Sequence, residues 1–260
     1  MHYTFLVVIF FSLLGITASA PPKAKASSSI KAVPTHTAPS TCATYYPSVL
    51  RQLVEAEPNV MHDNTAKKSE SFHVAQSVSF ADNVKFDRVH QYVVFNNIAA
   101  GSWNCQLMVS WPNTSSGMHI TTASKSGLDA STAVSLDVYS ASYNASEFAG
   151  SSKPKGAHVG TPDQGPFVTW ESMTDAVVRA GVDDLSAKES TASAKLTYFG
   201  TVRVNPGEYG VTVNSKACPQ EENGTLEFLF EIPSTDGRNA SVEFLGSKEE
   251  GAGVYLLANC

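Results

Sequence analysis

The sequence is poor in charge and lacks the short motifs of common enzyme classes. Asp, Glu, Lys and Arg make up 16% of the 260 residues, well below the usual quarter. The formal net charge of −6 argues against nucleic acid as a partner, because that role requires a basic surface. No Gly-x-Ser-x-Gly elbow, phosphate loop or His-Glu-x-x-His pattern occurs. We therefore predict no cofactor and no catalytic residues, although composition alone leaves enzymatic activity open.

Long apolar runs are also scarce, and the single strong one lies at the N-terminus. Residues 1–20 contain no Asp, Glu, Lys or Arg and end in the small residues Ala18-Ser19-Ala20. This pattern predicts a secretory signal peptide over residues 1–20. A membrane anchor needs roughly 20 apolar residues, so we expect no stable membrane insertion. Pro21 is an unusual first mature residue, which leaves the cleavage site open.

Residues 21–41 read PPKAKASSSIKAVPTHTAPST and predict a disordered linker. Pro, Ser, Thr, Ala and Lys offer too little apolar surface to offset the entropy of ordering. Without its three lysines the remaining residues 42–260 carry 15 basic and 24 acidic side chains, a balance of −9. We predict that residues 42–260 form one domain, soluble and monomeric because of this charge.

The four cysteines are Cys42, Cys105, Cys218 and Cys260. An even number in a secreted chain predicts two disulfides, for which three pairings are possible. We favour Cys42–Cys260 with Cys105–Cys218, because the ends of a domain often lie close together. No two cysteines have a chelating spacing, so we predict no metal site.

Four Asn-x-Ser/Thr sequons are candidates for N-glycosylation in a secreted chain. They begin at Asn113, Asn144, Asn223 and Asn239. The abundance of Ser and Thr would produce two or three such patterns by chance. The turn-like surroundings of Asn223 and Asn239 favour exposed positions for both.

The hydrophobic pattern predicts a mainly β chain with one or two short helices. Residues 47–56 have helical spacing between Pro47 and Pro58, and residues 172–188 are a second helical candidate. The remainder alternates with period two over eight or nine short segments. This pattern is typical of a single antiparallel β-sandwich with a jelly-roll-like arrangement. A turn at residues 205–208, Asn-Pro-Gly-Glu, predicts a hairpin between Leu196–Val204 and Tyr209–Val213.

Aromatic residues near loops are candidates for a ligand surface, because aromatic faces stack on the apolar face of a sugar ring. Trp103 and Trp111 share the alternation of Cys105, which predicts that both pack in the core. We therefore select Tyr45, Tyr143 and Trp170 as ligand-binding candidates.

Hydrolysis of a glycoside would require two carboxyl groups roughly 5–10 Å apart. Glu227 and Glu231 share one strand face but lie roughly 13 Å apart. A pair from different strands, such as Asp137 with Glu227, stays open.

Several segments together resemble a fungal family of secreted proteins that carry the C-terminal domain of "But-two", a ubiquitin-three-binding protein. The matching pieces are Tyr46-Pro47 after Cys42, Phe95-x-x-Ile98, Gly101-Ser102-Trp103-Asn104-Cys105-Gln106-Leu107, Leu136-Asp137-Val138-Tyr139, Phe199-Gly200-Thr201-Val202, Val213-Asn214-Ser215 before Cys218, Gly224-Thr225-Leu226-x-Phe228-Leu229-Phe230, and Leu256-Leu257-x-x-Cys260. The resemblance covers nearly all of residues 42–260, but the stretch between Trp170 and Leu196 fits poorly. It implies an extracellular or cell-wall protein of filamentous fungi and brings no catalytic residues.

We therefore expect a secreted, non-catalytic β-sandwich module at a fungal cell surface or wall. Its partner would be cell-wall polysaccharide or an extracellular protein. One alternative is an extracellular polysaccharide hydrolase with carboxylates assembled across strands. Another is a ubiquitin-pathway binder, which requires that the chain is not secreted.

Overall fold

A computed structural model describes residues 42–63, 71–111, 118–124, 127–128, 133–143, 168–175, 177–180, 194–205, 211–245 and 253–260. All of these residues belong to one compact unit, Ala38–Cys260. The predicted signal peptide, the predicted linker and the sequons at Asn113 and Asn144 lie outside the described residues. In the described part of the chain, no helix has the length and apolar character needed to cross a bilayer.

The fold is almost entirely β, as the sequence predicts. The strands are β1 Ala43–Tyr45, β2 Val49–Val54, β3 His62–Asp63, β4 Ser71–Val78, β5 Lys85–Ile98, β6 Cys105–Ser110, β7 Met118–Ser124, β8 Gly127–Leu128, β9 Val134–Tyr143, β10 Val177–Ala180, β11 Ala194–Val204, β12 Val211–Lys216, β13 Gly224–Glu231, β14 Asn239–Leu245 and β15 Gly253–Ala258. One short helix, α1, spans Trp170–Asp175.

The strands form two sheets. The small sheet has the order β1-β15-β6-β12, and the large sheet has the order β10-β11-β9-β13-β5-β4-β14-β7-β8, with β2 paired to β5 and β3. Among the described strands, every pair is antiparallel except β10 with β11. The sheets pack face to face as a sandwich, because each presents an alternating apolar row to the other.

The main core lies between these sheets. Strand β6 illustrates how the sequence forms this core: every second residue is buried, because successive side chains of a strand point to opposite faces. The small sheet contributes Cys105, Leu107, Val109, Val254 and Leu256, and the large sheet contributes Phe72, Val93, Phe95, Leu136, Phe228, Phe230, Val242 and Phe244, among others.

A second core covers the outer face of the large sheet. It consists of Val49, Leu53, Tyr92, Val94, Tyr139, Ala141, Val168, Trp170, Met173, Leu196 and Leu229. Helix α1 and the two residues before it supply Val168, Trp170 and Met173, so this segment acts as a lid of apolar side chains. Of the segment 172–188 that the sequence predicts as a helix, residues 172–175 lie in α1 and Val177–Ala180 form strand β10, whereas residues 176 and 181–188 lie outside the described residues.

The helix predicted over residues 47–56 is wrong, because this segment is strand β2. It pairs with β5 from Val49 opposite Val94 to Val54 opposite Val89. Leu50 faces the main core, whereas Val49 and Leu53 face the second core. A strand buried on both faces has apolar residues at irregular spacing, and here that spacing imitates a helix.

The predicted hairpin between Leu196–Val204 and Tyr209–Val213 is also wrong. Strand β11 pairs with β9 in the large sheet, while β12 pairs with β6 in the small sheet. The chain therefore crosses from one layer to the other between these strands. Residues 206–210 lie outside the described residues.

Candidate functional site

Both disulfides lie at one end of the small sheet and fasten it there. Cys42 and Cys260 join the start of β1 to the end of β15, with a Cα–Cα distance of 5.0 Å. Cys105 and Cys218 join the start of β6 to the residues after β12, with a Cα–Cα distance of 5.1 Å. The favoured sequence pairing is confirmed. We call this edge, formed by the two disulfides and residues 102–104 and 259, the pinned end.

At the pinned end, hydrogen bonds between Trp103 and Asn259 connect the residues before β6 to those after β15. Its backbone carbonyl accepts a hydrogen bond from the Asn259 N–H at 2.8 Å, and its own N–H donates to Oδ1 of Asn259 at 3.0 Å. The preceding residue is held as well, because the Gln220 side-chain amide donates to the Ser102 carbonyl at 3.1 Å. The backbone of Trp103 is therefore fixed between two covalent links.

The Trp103 ring is 57% exposed, so the prediction that it packs in the core is wrong. Asn104 has a positive φ of 51°, a conformation that Asn tolerates better than most residues. This reverses the two-residue alternation just before β6 begins at Cys105. Trp111 follows the alternation and is buried in the main core, where its Nε1–H donates to the Asn205 carbonyl at 3.1 Å.

The outward face of the small sheet carries polar and aromatic side chains. The register places Tyr255 opposite Met108, and Leu257 opposite Gln106. It also places Thr44 opposite Leu257, and Thr212 opposite Met108. We call this surface the small-sheet face; it comprises Thr44, Tyr46, Gln106, Met108, Ser110, Thr212, Ser215 and Tyr255, with Trp103 at the pinned end. Leu257 lies in the same row but is buried.

The small-sheet face carries no charge on its described strands. Lys216 is the one charged residue in β1, β6, β12 and β15. Its ammonium points to the opposite side, where it donates to Oγ of Ser140 on β9 at 2.6 Å. Burial lowers the pKa of Lys216, an effect opposed by the charge of Glu227.

Two tyrosines form an aromatic pair on the small-sheet face. The ring centroids of Tyr46 and Tyr255 lie 6.5 Å apart with an angle of 44° between the planes. Burial raises the pKa of Tyr255, and a hydrogen bond with Ser110 acts in the opposite direction. Tyr46 is 38% exposed, so it is the more accessible ring of the pair.

The sequence-selected ligand residues lie elsewhere. Tyr45 faces inward and packs against the main core, and its hydroxyl accepts a hydrogen bond from the Ala99 N–H at 3.3 Å. Trp170 is 6% exposed within the second core, so its ring is not available for stacking. Tyr143 ends β9, and its side chain lies outside the described part. Alternation along β1 and β15 was the signal that would have identified Tyr46 and Tyr255.

Trp170 is held by groups on the large sheet. The His90 ring lies 4.5 Å from the Trp170 ring, and the Arg88 guanidinium lies 4.9 Å from the centroid of that ring. Arg88 also donates two side-chain hydrogen bonds to the Glu55 carboxylate. The Arg88 side chain accordingly holds the pKa of Glu55 below its usual value. The lid over the second core is therefore secured by a cation–π contact as well as by apolar packing.

The candidate carboxylate pair Asp137 and Glu227 is not a cross-strand pair in the structure. Glu231 lies opposite Asp137, whereas Glu227 lies opposite Ala141. Glu231 is 3% exposed, and its Oε2 lies 3.6 Å from Nδ1 of His90. Asp137 instead accepts a hydrogen bond of 2.6 Å from Thr201. The cross-strand pair thus lacks an open groove around Glu231, and its geometry favours a structural role.

Glu227 is a carboxyl group whose surroundings shift its pKa strongly. Burial raises its pKa to about 7, although a hydrogen bond from Tyr92 and the charge of Lys216 both act to lower it. Its cross-strand neighbours, Val94 and Ala141, are apolar and buried. This carboxyl group is consequently protonated in mildly acidic conditions, where an ordinary Glu would be ionised.

We expect the substitution Glu227→Gln to stabilise the protein at pH 8 but not at pH 4. The folded-state pKa of about 7 exceeds the ordinary glutamate value of about 4.5, so the folded protein binds the proton more tightly than the unfolded chain does. Ionisation of Glu227 therefore removes stability as the pH rises from about 4.5 to about 7, by up to about 3 kcal/mol. Denaturant unfolding at both pH values measures this change.

Glu221→Gln, at an exposed position before β13, is the matched control for that measurement. Other titrating groups are common to all three proteins, so the difference between variants isolates Glu227. Equal stabilities of Glu227→Gln and the unmodified protein at pH 8 would contradict the role assigned to burial.

No family model matches the chain, and no curated protein matches it either. Within the described residues, no group of three or more His, Cys, Asp or Glu side chains is arranged to hold a metal ion. The small-sheet face, with its pinned end, is the surface that we take forward.

Proposed function

We propose that this chain is a secreted, non-catalytic β-sandwich module that binds a ligand at a fungal cell surface or wall. The observation that carries the proposal is the pair of disulfides at the pinned end. Disulfides form and persist in oxidising compartments, and they are rare in the cytosol. The resemblance to secreted fungal proteins with the "But-two" C-terminal domain points to the same location.

The accessible aromatic residues support binding. Single exposed apolar residues are normal, but apolar side chains grouped on one surface indicate an interaction site. Trp103 and Tyr46 are both exposed, and Trp103 is additionally held by a backbone that two cross-links constrain. Such pre-organisation reduces the entropy that a ligand must remove on binding. Either a wall polysaccharide or an extracellular protein is compatible with this argument.

Glycosylation provides a prediction specific to the folded, secreted protein. Asn223 is exposed in a left-handed turn with a φ of 60°. Asn239 begins β14, and its Oδ1 accepts a hydrogen bond from the Val78 N–H, so its side chain is held against β4. We expect the secreted protein to carry a glycan at Asn223 and none at Asn239, as measured by peptide mass after enzymatic glycan release.

The test uses the full chain expressed in a filamentous fungus, with separate analysis of medium, wall and cytosol. Asn223→Gln should remove one glycan mass, whereas Asn239→Gln should leave it in place. All four cysteines should be oxidised, and isolated walls should retain the purified protein without release of soluble sugar. Free thiols on the secreted protein, or failure of walls to retain it, would overturn the proposal.

A further inference from the structure

We infer that the small-sheet face binds a neutral polysaccharide chain, which lies across the Tyr46–Tyr255 pair and extends to Trp103 at the pinned end. This inference rests on the proposed function of a ligand-binding module, and it names the surface and the ligand class. The argument depends on charge, on the positions of the aromatic rings and on the rigidity of the pinned end.

Charge selects a neutral ligand. The described strands of the small sheet place no ionised side chain on this face, because Lys216 turns inward to Ser140. An anionic or cationic ligand would lose hydration there without gaining a counter-charge. Residues 42–260 also carry a balance of −9, which repels acidic polymers over a longer range. A neutral sugar polymer avoids both penalties.

The polar groups on the face suit hydroxyl-rich ligands. Gln106, Ser215 and Thr44 lie in one cross-strand row with Leu257, and they offer amide and hydroxyl groups that both donate and accept hydrogen bonds. Thr44 and Ser215 are exposed. Sugar hydroxyls require partners of this mixed kind. A purely apolar protein partner would instead leave these groups without partners.

Along β15, the positions of Tyr255 and of Asn259, which holds the Trp103 backbone, lie on either side of this polar row. Tyr255 lies opposite Met108 on one side of it, whereas Trp103 bonds to Asn259, four residues farther along the chain. Four residues of extended strand span roughly 13 Å. A ring face presents a broad apolar surface with negative charge density, which complements the C–H groups of a pyranose. The spacing accommodates a chain of several sugars rather than a single one.

The pinned end explains why Trp103 is the stronger anchor. Its backbone is hydrogen-bonded on both sides to Asn259 and lies between Cys42–Cys260 and Cys105–Cys218. The ring therefore starts from a constrained backbone, and less conformational entropy is lost on binding.

The experiment measures retention of the purified full chain on insoluble β-1,3-glucan, chitin and mannan, with polygalacturonate as the anionic comparison. The variants are Trp103→Ala and Tyr46→Ala, and the matched control is Tyr198→Ala on the large sheet. Tyr198 is 51% exposed, but its hydroxyl contacts Thr201 next to the charged Asp137. Unchanged thermal unfolding of the variants verifies that each one folds.

We expect at least one neutral polymer to retain the protein and the anionic polymer not to do so. Trp103→Ala and Tyr46→Ala should each weaken retention by about tenfold or more, which corresponds to about 1.4 kcal/mol. Tyr198→Ala should leave retention unchanged.

Four outcomes would overturn the inference. Retention by fungal walls but by no neutral polymer would leave the proposed function standing and refute the ligand class. Preferential retention by polygalacturonate would refute the charge argument. Loss of retention in Tyr198→Ala alone would place the site on the large sheet. A dimer in sedimentation that Tyr46→Ala dissociates would make a second copy of the chain the occupant of this face.

Discussion

Replacement of both Cys105 and Cys218 by alanine is expected to lower the free energy of unfolding by about 2–5 kcal/mol. The bond closes a sequence separation of 113 residues, so its loss gives the unfolded chain a large gain in conformational freedom. Both cysteines are buried, and their removal also reduces packing in the main core. Guanidinium unfolding of the double variant measures the change.

A control distinguishes the effect of losing the disulfide bond from the effect of losing the cysteine side chains. Unmodified protein treated with reductant under unfolding conditions loses both bonds without losing any side-chain volume. The variant should respond less to the same treatment, since it retains only Cys42–Cys260. A loss of less than 1 kcal/mol in the variant would show that the hydrogen bonds and packing of β6 and β12 suffice without the covalent link.

Trp170→Ala is expected to destabilise the protein by about 3–5 kcal/mol. The ring is buried in the second core and contacts both His90 and Arg88. Its removal leaves a cavity under α1 and ends the cation–π contact with Arg88. Denaturant unfolding and the thermal midpoint both report this loss.

Trp103→Ala is the matched control, because it removes the same side chain from an exposed position. A surface substitution of this kind usually changes stability by no more than about 0.5 kcal/mol. The two tryptophans should therefore show opposite behaviour: Trp170 affects stability, and Trp103 affects ligand retention. Equal stability losses in both variants would contradict the assignment of Trp170 to a core.

The architecture was predictable from the sequence because period-two alternation is a local property. Strand β4 alternates between partly buried and buried positions along its whole length, so its face can be read residue by residue. Strand β2 could not be identified in this way. Its two faces contact different cores, and the spacing of Val49, Leu50 and Leu53 reflects tertiary contacts that no local pattern contains.

Strand pairing was less predictable than strand position. The turn residues at 205–208 are typical of a hairpin, yet β11 and β12 pair with different partners. Turn chemistry describes a change of chain direction, and a change of direction also occurs where a strand passes from one layer to the other. The disulfide pairing was accessible because it needed only the proximity of domain ends.

The candidate site was predictable only in part. Sequence reasoning sought aromatic residues at the surface, but it selected Tyr45 and Trp170, which pack inward. Tyr46 follows Tyr45 directly, and adjacent residues of a strand face opposite sides of the sheet. The selected residue, Tyr45, therefore faces the core, whereas its neighbour Tyr46 is exposed. Trp103 was misassigned because the left-handed conformation of Asn104 interrupts alternation without a distinctive sequence signal.

The short distance between residues 42 and 260 has a mechanical consequence. Their Cα atoms are 5.0 Å apart and covalently joined, and Asn259 is bonded to Trp103. A pulling force applied at residue 42 would pass through the disulfide into the pinned end, and from there through Asn259 to the backbone of Trp103. This path runs along one end of the small sheet, so the large sheet lies outside it.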